Sequence, residues 1–338
     1  MDQLSRSSWL QRQQELKLEL DLVNSTSGLG AALMALAENQ RATGFIRDNL
    51  ENVERFILPS ASGRRHYFSV QYNPARARRF AGAGLALAPE NVENVNQGCF
   101  LCAENIWWQQ QGTELGYDLP LAGSRYTAWM NPFPLAPGHC IAAAREHIPQ
   151  CWGGSSETLA TIISDLLELS SKLPGWICFY NGEGAGASIL GHLHYHLLPR
   201  PADYGQLPLE LAIQRHDADG VVEEIYPLSF MHWHDEQTVA MEAVSPWIKD
   251  WLARVGEPEH ATANIITITA ECGSRQDCFF IPRHKARSRA EGLAGVVGGF
   301  ETLGEIVCSS DEDHKRLQAG EINYQTIADM LRQVSVAL

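Results

Sequence analysis

The chain has 338 residues, of which 45 % are hydrophobic, with 26 Lys and Arg against 40 Asp and Glu for a formal charge of −14. That composition is globular and large enough for about two domains, which excludes disordered, collagenous and coiled-coil chains. The acidic balance argues against a general nucleic-acid binder, whose affinity rests on neutralising phosphates, but it leaves room for a local basic pocket around a small anion.

The N-terminal segment is too polar for a signal peptide and no apolar run approaches a membrane span. A cytoplasmic, non-membrane protein is therefore expected, with its eight cysteines reduced. Residues 1–60 read as a helical segment, carried by Leu10, Leu16, Leu20 and Val23 and then by Leu33, Leu36, Phe45, Ile46 and Leu50. HYFSVQY (66–72) alternates like a strand and runs into the basic NPARARRF, after which a loop-rich region holds GCFLCAEN (98–105). RYTAWMN (125–131) and GHCIAAA (138–144) predict two strands joined by the turn PFPLAP. SSETLATIISDLLELSSKL (155–173) predicts an amphipathic helix with Ser at its N-cap. WICFY (176–180) and HLHYHLLP (192–199) predict strands on either side of the glycine-rich NGEGAGASILG.

Beyond Pro201, LPLELAIQRH and VVEEIYPLSF read as strand segments and 238–254 as a helix. NIITITAE (264–271) and DCFFIPR (277–283) read as a hairpin, and 322–337 as a final helix. No internal sequence repeat stands out. The expected architecture is α+β: a helical segment (1–60), an antiparallel lobe with flanking helices (61–205), and a smaller or degenerate α+β lobe (206–338).

The chemistry concentrates in His192-Leu-His194-Tyr-His196. On a strand, alternate residues share a face, so three imidazoles line one side while Leu193, Tyr195 and Leu197 line the other. Burying three imidazoles for packing alone is costly, so the face points either to metal ligation or to nucleophilic attack on phosphorus. Cys99-x-x-Cys102 has the spacing of half a tetrahedral zinc site, and His139, His147 and the triple-histidine strand could supply the rest. Gly182-x-Gly184-x-x-Ala187 formally matches a dinucleotide fingerprint, but period-two alternation follows it instead of a helix. The loop and Ser188 could still cradle a phosphate. Arg64, Arg65, Arg76, Arg78 and Arg79 form one basic run, and Arg283, Lys285, Arg287 and Arg289 form another; both suit oxyanion capture. His232-Trp233-His234 repeats the His-x-His spacing but is read as structural.

Together these motifs resemble the histidine triad superfamily, in its galactose-1-phosphate uridylyltransferase-like branch of nucleotide-sugar and dinucleotide phosphorylases. HLHYHLL resembles the triad itself and NPFPLAPGHCIAAAREHI the strand–turn–strand before it; GCFLCAEN resembles the zinc-binding pair, RRHYFSVQYNPAR the branch's entry segment, and NGEGAGAS the α-phosphate loop. The match spans about residues 64–200. The resemblance implies a nucleotidyltransferase or phosphorylase in which His194 is the nucleophile and His196 assists. Cys99, Cys102, His147 and His192 would hold a structural Zn²⁺. Asn181, Gly186 and Ser188, with Arg76, Arg79, Arg283 and Lys285, would bind substrate. The implied partners are a nucleotide-containing small molecule and a phosphate or sugar-phosphate acceptor, handled by a monomer or homodimer without nucleic acid or membrane. Transferases of this branch usually carry Gln where this chain has His196, and histidine there is typical of hydrolytic relatives. A hydrolase using the same residues is thus the first alternative. A metal-dependent hydrolase with the histidine strand as ligands, and a non-catalytic zinc-stabilised nucleotide-binding module, are the others.

Overall fold

A computed structural model describes residues 5–46, 50–61, 63–81, 88–121, 125–213, 226–293 and 295–338, with side chains described for all of these except 63–65 and 79–81. Two helices open the chain, α1 (Arg6–Ser27) and α2 (Leu29–Ala42), followed by strands β1 (Glu54–Ser60) and β2 (Gly63–Tyr72) and a 3₁₀ segment over Pro74–Ala81. Then come α3 (Ala103–Gln109), β3 (Tyr117–Asp118), β4 (Tyr126–Met130), β5 (Cys140–Ala144), α4 (Ser156–Lys172), β6 (Trp176–Asn181) and β7 (His194–Pro199). The C-terminal part adds α5 (Pro208–Ile213), β8 (Met231–Asp235), α6 (Met241–Arg254), β9 (Ala261–Thr269), β10 (Gln276–His284), α7 (Gly299–Thr302), β11 (Glu305–Cys308), α8 (Asp311–Gln318) and α9 (Tyr324–Val334).

The α+β class holds. Several elements differ from expectation. Residues 54–60 form a strand, not helix, because β1 pairs along its length with β2. LPLELAI forms the short helix α5, with Pro208 at its first position, where a missing N–H costs nothing. Of VVEEIYPLSF, residues 221–225 lie outside the described part and 226–230 form no strand. Among the described residues no helix is long and apolar enough to cross a membrane.

The main sheet has eight strands in the order β3-β4-β5-β7-β6-β9-β10-β8, and a second sheet has the order β1-β2-β11. Both sheets cross the expected segment boundaries: β9 pairs antiparallel with β6, and β11 pairs parallel with β2. The central order reads alike from both ends. β5-α4-β6-β7 and β8-α6-β9-β10 follow the same sequence of elements, and the two units meet at the β6–β9 pair. Their final strands even end alike, HYHLLPR (194–200) against DCFFIPR (277–283). This is an internal structural repeat that the sequence reading missed.

The main sheet separates two cores. Helices α1, α2, α4 and α6 cover one face, where Leu33, Leu36, Ile163, Leu166, Tyr195, Leu197 and Phe280 are buried. Ser155 caps α4 by accepting from the Thr158 N–H, so the predicted amphipathic helix is observed nearly to the residue. On the other face Ile177, Phe179, Leu198, Ile266 and Phe279 pack against Phe68, Phe300 and Leu331. Each fully buried side chain of this size contributes about 1.5–3 kcal/mol. In β7, Tyr195 and Leu197 belong to the helical core, so His194 and His196 turn to the opposite face.

Candidate active site

Cys102 sits at the N-terminal end of α3, with Cys99 one turn before it; His147 follows β5 and His192 precedes β7. One donor atom from each lies within 4.8 Å of all the others. Cys99 Sγ is 3.4 Å and Cys102 Sγ 3.6 Å from His192 Nδ1, and Cys102 Sγ is 3.3 Å from His147 Nδ1. A tetrahedron with ordinary zinc–sulfur and zinc–nitrogen bonds has S···N edges of about 3.6 Å. The tautomer fits as well: His192 Nε2–H donates to the Ala144 carbonyl at 2.6 Å, which leaves the Nδ1 lone pair facing the sulfurs. Asn96 Nδ2–H donates to Cys102 Sγ at 3.3 Å. A hydrogen bond from the Cys102 thiol holds the Cys99 thiol well below its ordinary range, and the same bond with burial pushes Cys102 up. The four residues therefore have the donors and the spacing of a tetrahedral metal site.

Glu257, His260 and His284 also cluster, but their hydrogen bonds run the other way. The Ala286 N–H donates to His284 Nδ1, which puts the ring proton on Nε2, the atom facing Glu257. His260 Nδ1 lies 3.0 Å from the same carboxylate. This is a hydrogen-bonded surface group rather than a metal site.

The remaining two histidines of the strand lie outside this four-residue cluster. His194 is 2 % exposed, and its Nδ1–H donates to the His192 carbonyl at 2.8 Å, leaving the Nε2 lone pair as the reactive one. Burial pushes this imidazole down to about 4 against the opposing pull of that carbonyl, so the ring is neutral at neutral pH. His196 lies 5.4 Å from His194, centroid to centroid, and stacks on Phe179 at 4.7 Å. His139 stands behind it. The Leu135 N–H donates to His139 Nδ1, so the proton sits on Nε2, which donates to His196 Nδ1 at 3.1 Å. His196 consequently carries its own proton on Nε2. Burial, with Arg76 nearby, pushes His139 down to about 3 and keeps it neutral.

The glycine-rich loop leaves β6 at Asn181. Asn181 Oδ1 accepts from Asn264 Nδ2 at 2.9 Å and from the Gly299 N–H at 2.7 Å, so the C-terminal repeat holds it. Gly186 has φ +105°, and a Cβ there would lie 2.5 Å from Gly298 Cα; only glycine combines that backbone with that approach. Ser188 is exposed on the same loop. Lys285 reaches the loop through a 2.7 Å ion pair with Glu183.

The arginines divide. Arg283 is 1 % exposed, and its guanidinium donates to Asn264 Oδ1 at 2.7 Å and to the carbonyls of Val297 and Arg287. The expected direct contact with substrate is corrected on this point, because the buried group reaches the site through Asn264 and Asn181. Arg76 is buried beside the Phe133 carbonyl, to which it donates. The side chains of Arg64, Arg65 and Arg79 lie outside the described part. His232 donates toward Asp277 at 2.8 Å at the far edge of the sheet, away from the histidine strand.

The sequence reading overlooked Gln150, Asn264 and the Gly298-Gly299 turn as site residues, and saw His139 only as a possible metal ligand. His139 stands in the APGH turn before β5, a signal available in sequence; the others carry no motif.

A family described as a domain of unknown function (DUF4922) matches residues 36–199. No curated protein sequence matches the chain. Among solved structures, yeast Ap4A phosphorylase Apa2 is similar at 15 % identity with a TM-score of 0.55, covering 89 % of this chain and 94 % of that one. The same yeast enzyme in complex with Ap4A matches at 14 % identity and a TM-score of 0.57, covering 90 % and 97 %. Its complex with AMP matches at 13 % and 0.54, covering 89 % and 97 %. At these identities the likeness establishes the fold.

Proposed function

We propose that this chain is a nucleotidyl-transferring phosphorylase that cleaves a phosphoanhydride of a dinucleoside polyphosphate or nucleotide sugar through a covalent nucleotidyl-His194. The observation that carries the reading is the protonation pattern of the strand. His194 is neutral and offers its Nε2 lone pair, while neighbouring His196 carries a proton on Nε2. That pairing of a nucleophile with a donor suits attack on phosphorus. The overlay on a yeast phosphorylase solved with Ap4A and with AMP supports the substrate class.

In the first step His194 Nε2 bonds to the α-phosphorus and the bond to the bridging oxygen breaks. That oxygen keeps the electron pair and accepts a hydrogen bond from His196 Nε2–H, and the remaining nucleoside polyphosphate or sugar phosphate leaves. In the second step an oxygen of inorganic phosphate bonds to the same phosphorus. The P–N bond breaks, its electrons return to His194, and a nucleoside diphosphate is released. Backbone N–H groups of the loop after Asn181, with Ser188, would bind the phosphate oxygens. Cys99, Cys102, His147 and His192 would hold a Zn²⁺ that fixes the loop at 99–102 to the start of β7 and takes no part in the chemistry.

His196 favours a second reading. A neutral imidazole with its proton on Nε2, backed by His139, can also exchange a proton with water, which would make the enzyme a hydrolase of the same conjugates. Incubation with Ap4A, with and without phosphate, separates the two. Phosphate-dependent release of ADP and ATP supports phosphorolysis, and phosphate-independent release of AMP supports hydrolysis. An adenylyl adduct found in the intact protein and lost in His194→Ala supports both over the remaining classes. No adduct and no turnover with any nucleotide conjugate would overturn them.

A further inference from the structure

β6 and β7 pair from Trp176↔Pro199 to Phe179↔His196 and then part, before reaching His194. The backbone N–H and C=O of His194 therefore lose their strand partner at the residue assigned as nucleophile. The side chain of Gln150 takes that place. Its Oε1 accepts from the His194 N–H at 2.7 Å, and its Nε2 donates to the His194 carbonyl at 3.0 Å and to the Asn181 carbonyl at 2.9 Å. The amide thus acts as an inserted peptide unit, bonded to β7 on one side and β6 on the other. Both of its N–H donors are used, and the residue is fully buried. Its own backbone is pinned too, by the Leu190 carbonyl at 2.9 Å and by the Tyr180 hydroxyl at 3.0 Å.

We propose that Gln150 is a positioning residue that fixes the backbone of the nucleophile His194 relative to the phosphate-loop residue Asn181, while keeping the strands apart where the loop begins. This rests on the transfer reading above. The physical need is plain. The His194 ring is oriented by a bond to the carbonyl only two residues back, a local contact that lasts only while the backbone from His192 to His194 keeps its conformation. Asn181 is tied to the C-terminal repeat. Gln150 alone, among the bonds described, joins the His194 backbone to the strand that carries Asn181. An unpaired buried peptide group at His194 would otherwise cost stability where the strands diverge. Gln150 removes that cost without closing the gap.

The test uses the full chain with two variants. Gln150→Met keeps the volume and removes all three bonds; Gln150→Glu keeps the acceptor and removes both donors. Single-turnover formation of the nucleotidyl adduct is measured beside equilibrium nucleotide binding, and ¹⁵N spectra report the His194 ring tautomer. Adduct formation should fall about 100-fold in the Met variant, as for a misplaced reacting group, while nucleotide affinity holds. The ring should change from one tautomer to a mixture. A wild-type rate together with a wild-type ring spectrum in a folded variant would overturn the proposal. So would loss of fold in both variants, which would make Gln150 a packing residue. Absence of any adduct in the wild-type protein would sink the transfer reading, yet the ring spectra would still decide the clamp.

Discussion

His139 Nε2–H donates to His196 Nδ1 across 3.1 Å, and the proton on His196 Nε2 depends on that bond. Removing the donor frees His196 to adopt the other tautomer, which presents a lone pair to the leaving oxygen. His139→Ala should therefore lower the rate of adduct formation about 100-fold, the usual scale for one proton donor. His139→Gln should recover part of it, since its amide can accept from Leu135 N–H and donate to His196. Equal losses in the two variants, by rapid-quench assay, would show that packing rather than proton placement matters.

Gly186 tests the contact between the glycine-rich loop and the Gly298-Gly299 turn. Its φ of +105° disfavours any side chain, and a Cβ would meet backbone at Gly298 rather than a flexible side chain. Gly186→Ala should destabilise the fold by about 1–3 kcal/mol and should lower adduct formation, because Asn181 hangs on the Gly299 N–H next to the collision. Urea denaturation and the adduct assay measure the two effects. Ala at Gly205, which also has positive φ but no atom within 4 Å, is the control: strain without the collision should leave the chemistry intact.

What could be seen in sequence was what short-range spacing encodes. Cys99-x-x-Cys102 and the alternation of His192, His194 and His196 announce themselves because ligands and strand faces repeat every few residues. Asn264 and Gly299 reach Asn181 from 83 and 118 residues away, and Gln150 reaches His194 across 44, so no local pattern could reveal them. Strand β11 has four residues and owes its existence to β2, its parallel partner. LPLELAI reads as a strand because seven residues do not separate a helical period from a strand period. Arg283 shows the limit from the other side: its place in a basic run suggested an anion, whereas the fold buries it against Asn264.

Glu114 gives a pH dependence of stability. It is 5 % exposed, next to the contacts of α1 and α2, and burial raises its carboxyl well above the ordinary carboxylate range. A carboxyl whose folded pKa exceeds its unfolded value favours folding most below the unfolded pKa. That contribution is lost as pH rises through the folded pKa, with a slope of at most about 1.4 kcal/mol per pH unit. Glu114→Gln abolishes the titration. The variant should match the wild type near pH ~4 and become the more stable of the two as pH rises toward ~8, by urea midpoints. A gap that stays constant across this range would mean that folding does not raise the pKa of this carboxyl.

His192 joins the proposed metal site to the chemistry. Its ring faces Cys99 and Cys102, while its carbonyl holds the His194 ring proton. Removing zinc should therefore act twice, on stability and on the nucleophile. Dialysis against a chelator should lower the thermal midpoint by about 5 °C or more, as expected when a metal that binds only the folded chain is withdrawn. Adduct formation should fall with it, and both should return when Zn²⁺ is restored. Cys99→Ser should reproduce the loss without recovery. His194→Ala should abolish the adduct yet keep one metal per chain by elemental analysis, because its ring bonds to the His192 carbonyl and not to the cluster. Loss of metal in His194→Ala with retention in His192→Ala would exchange the two roles and would place the metal at the reacting centre.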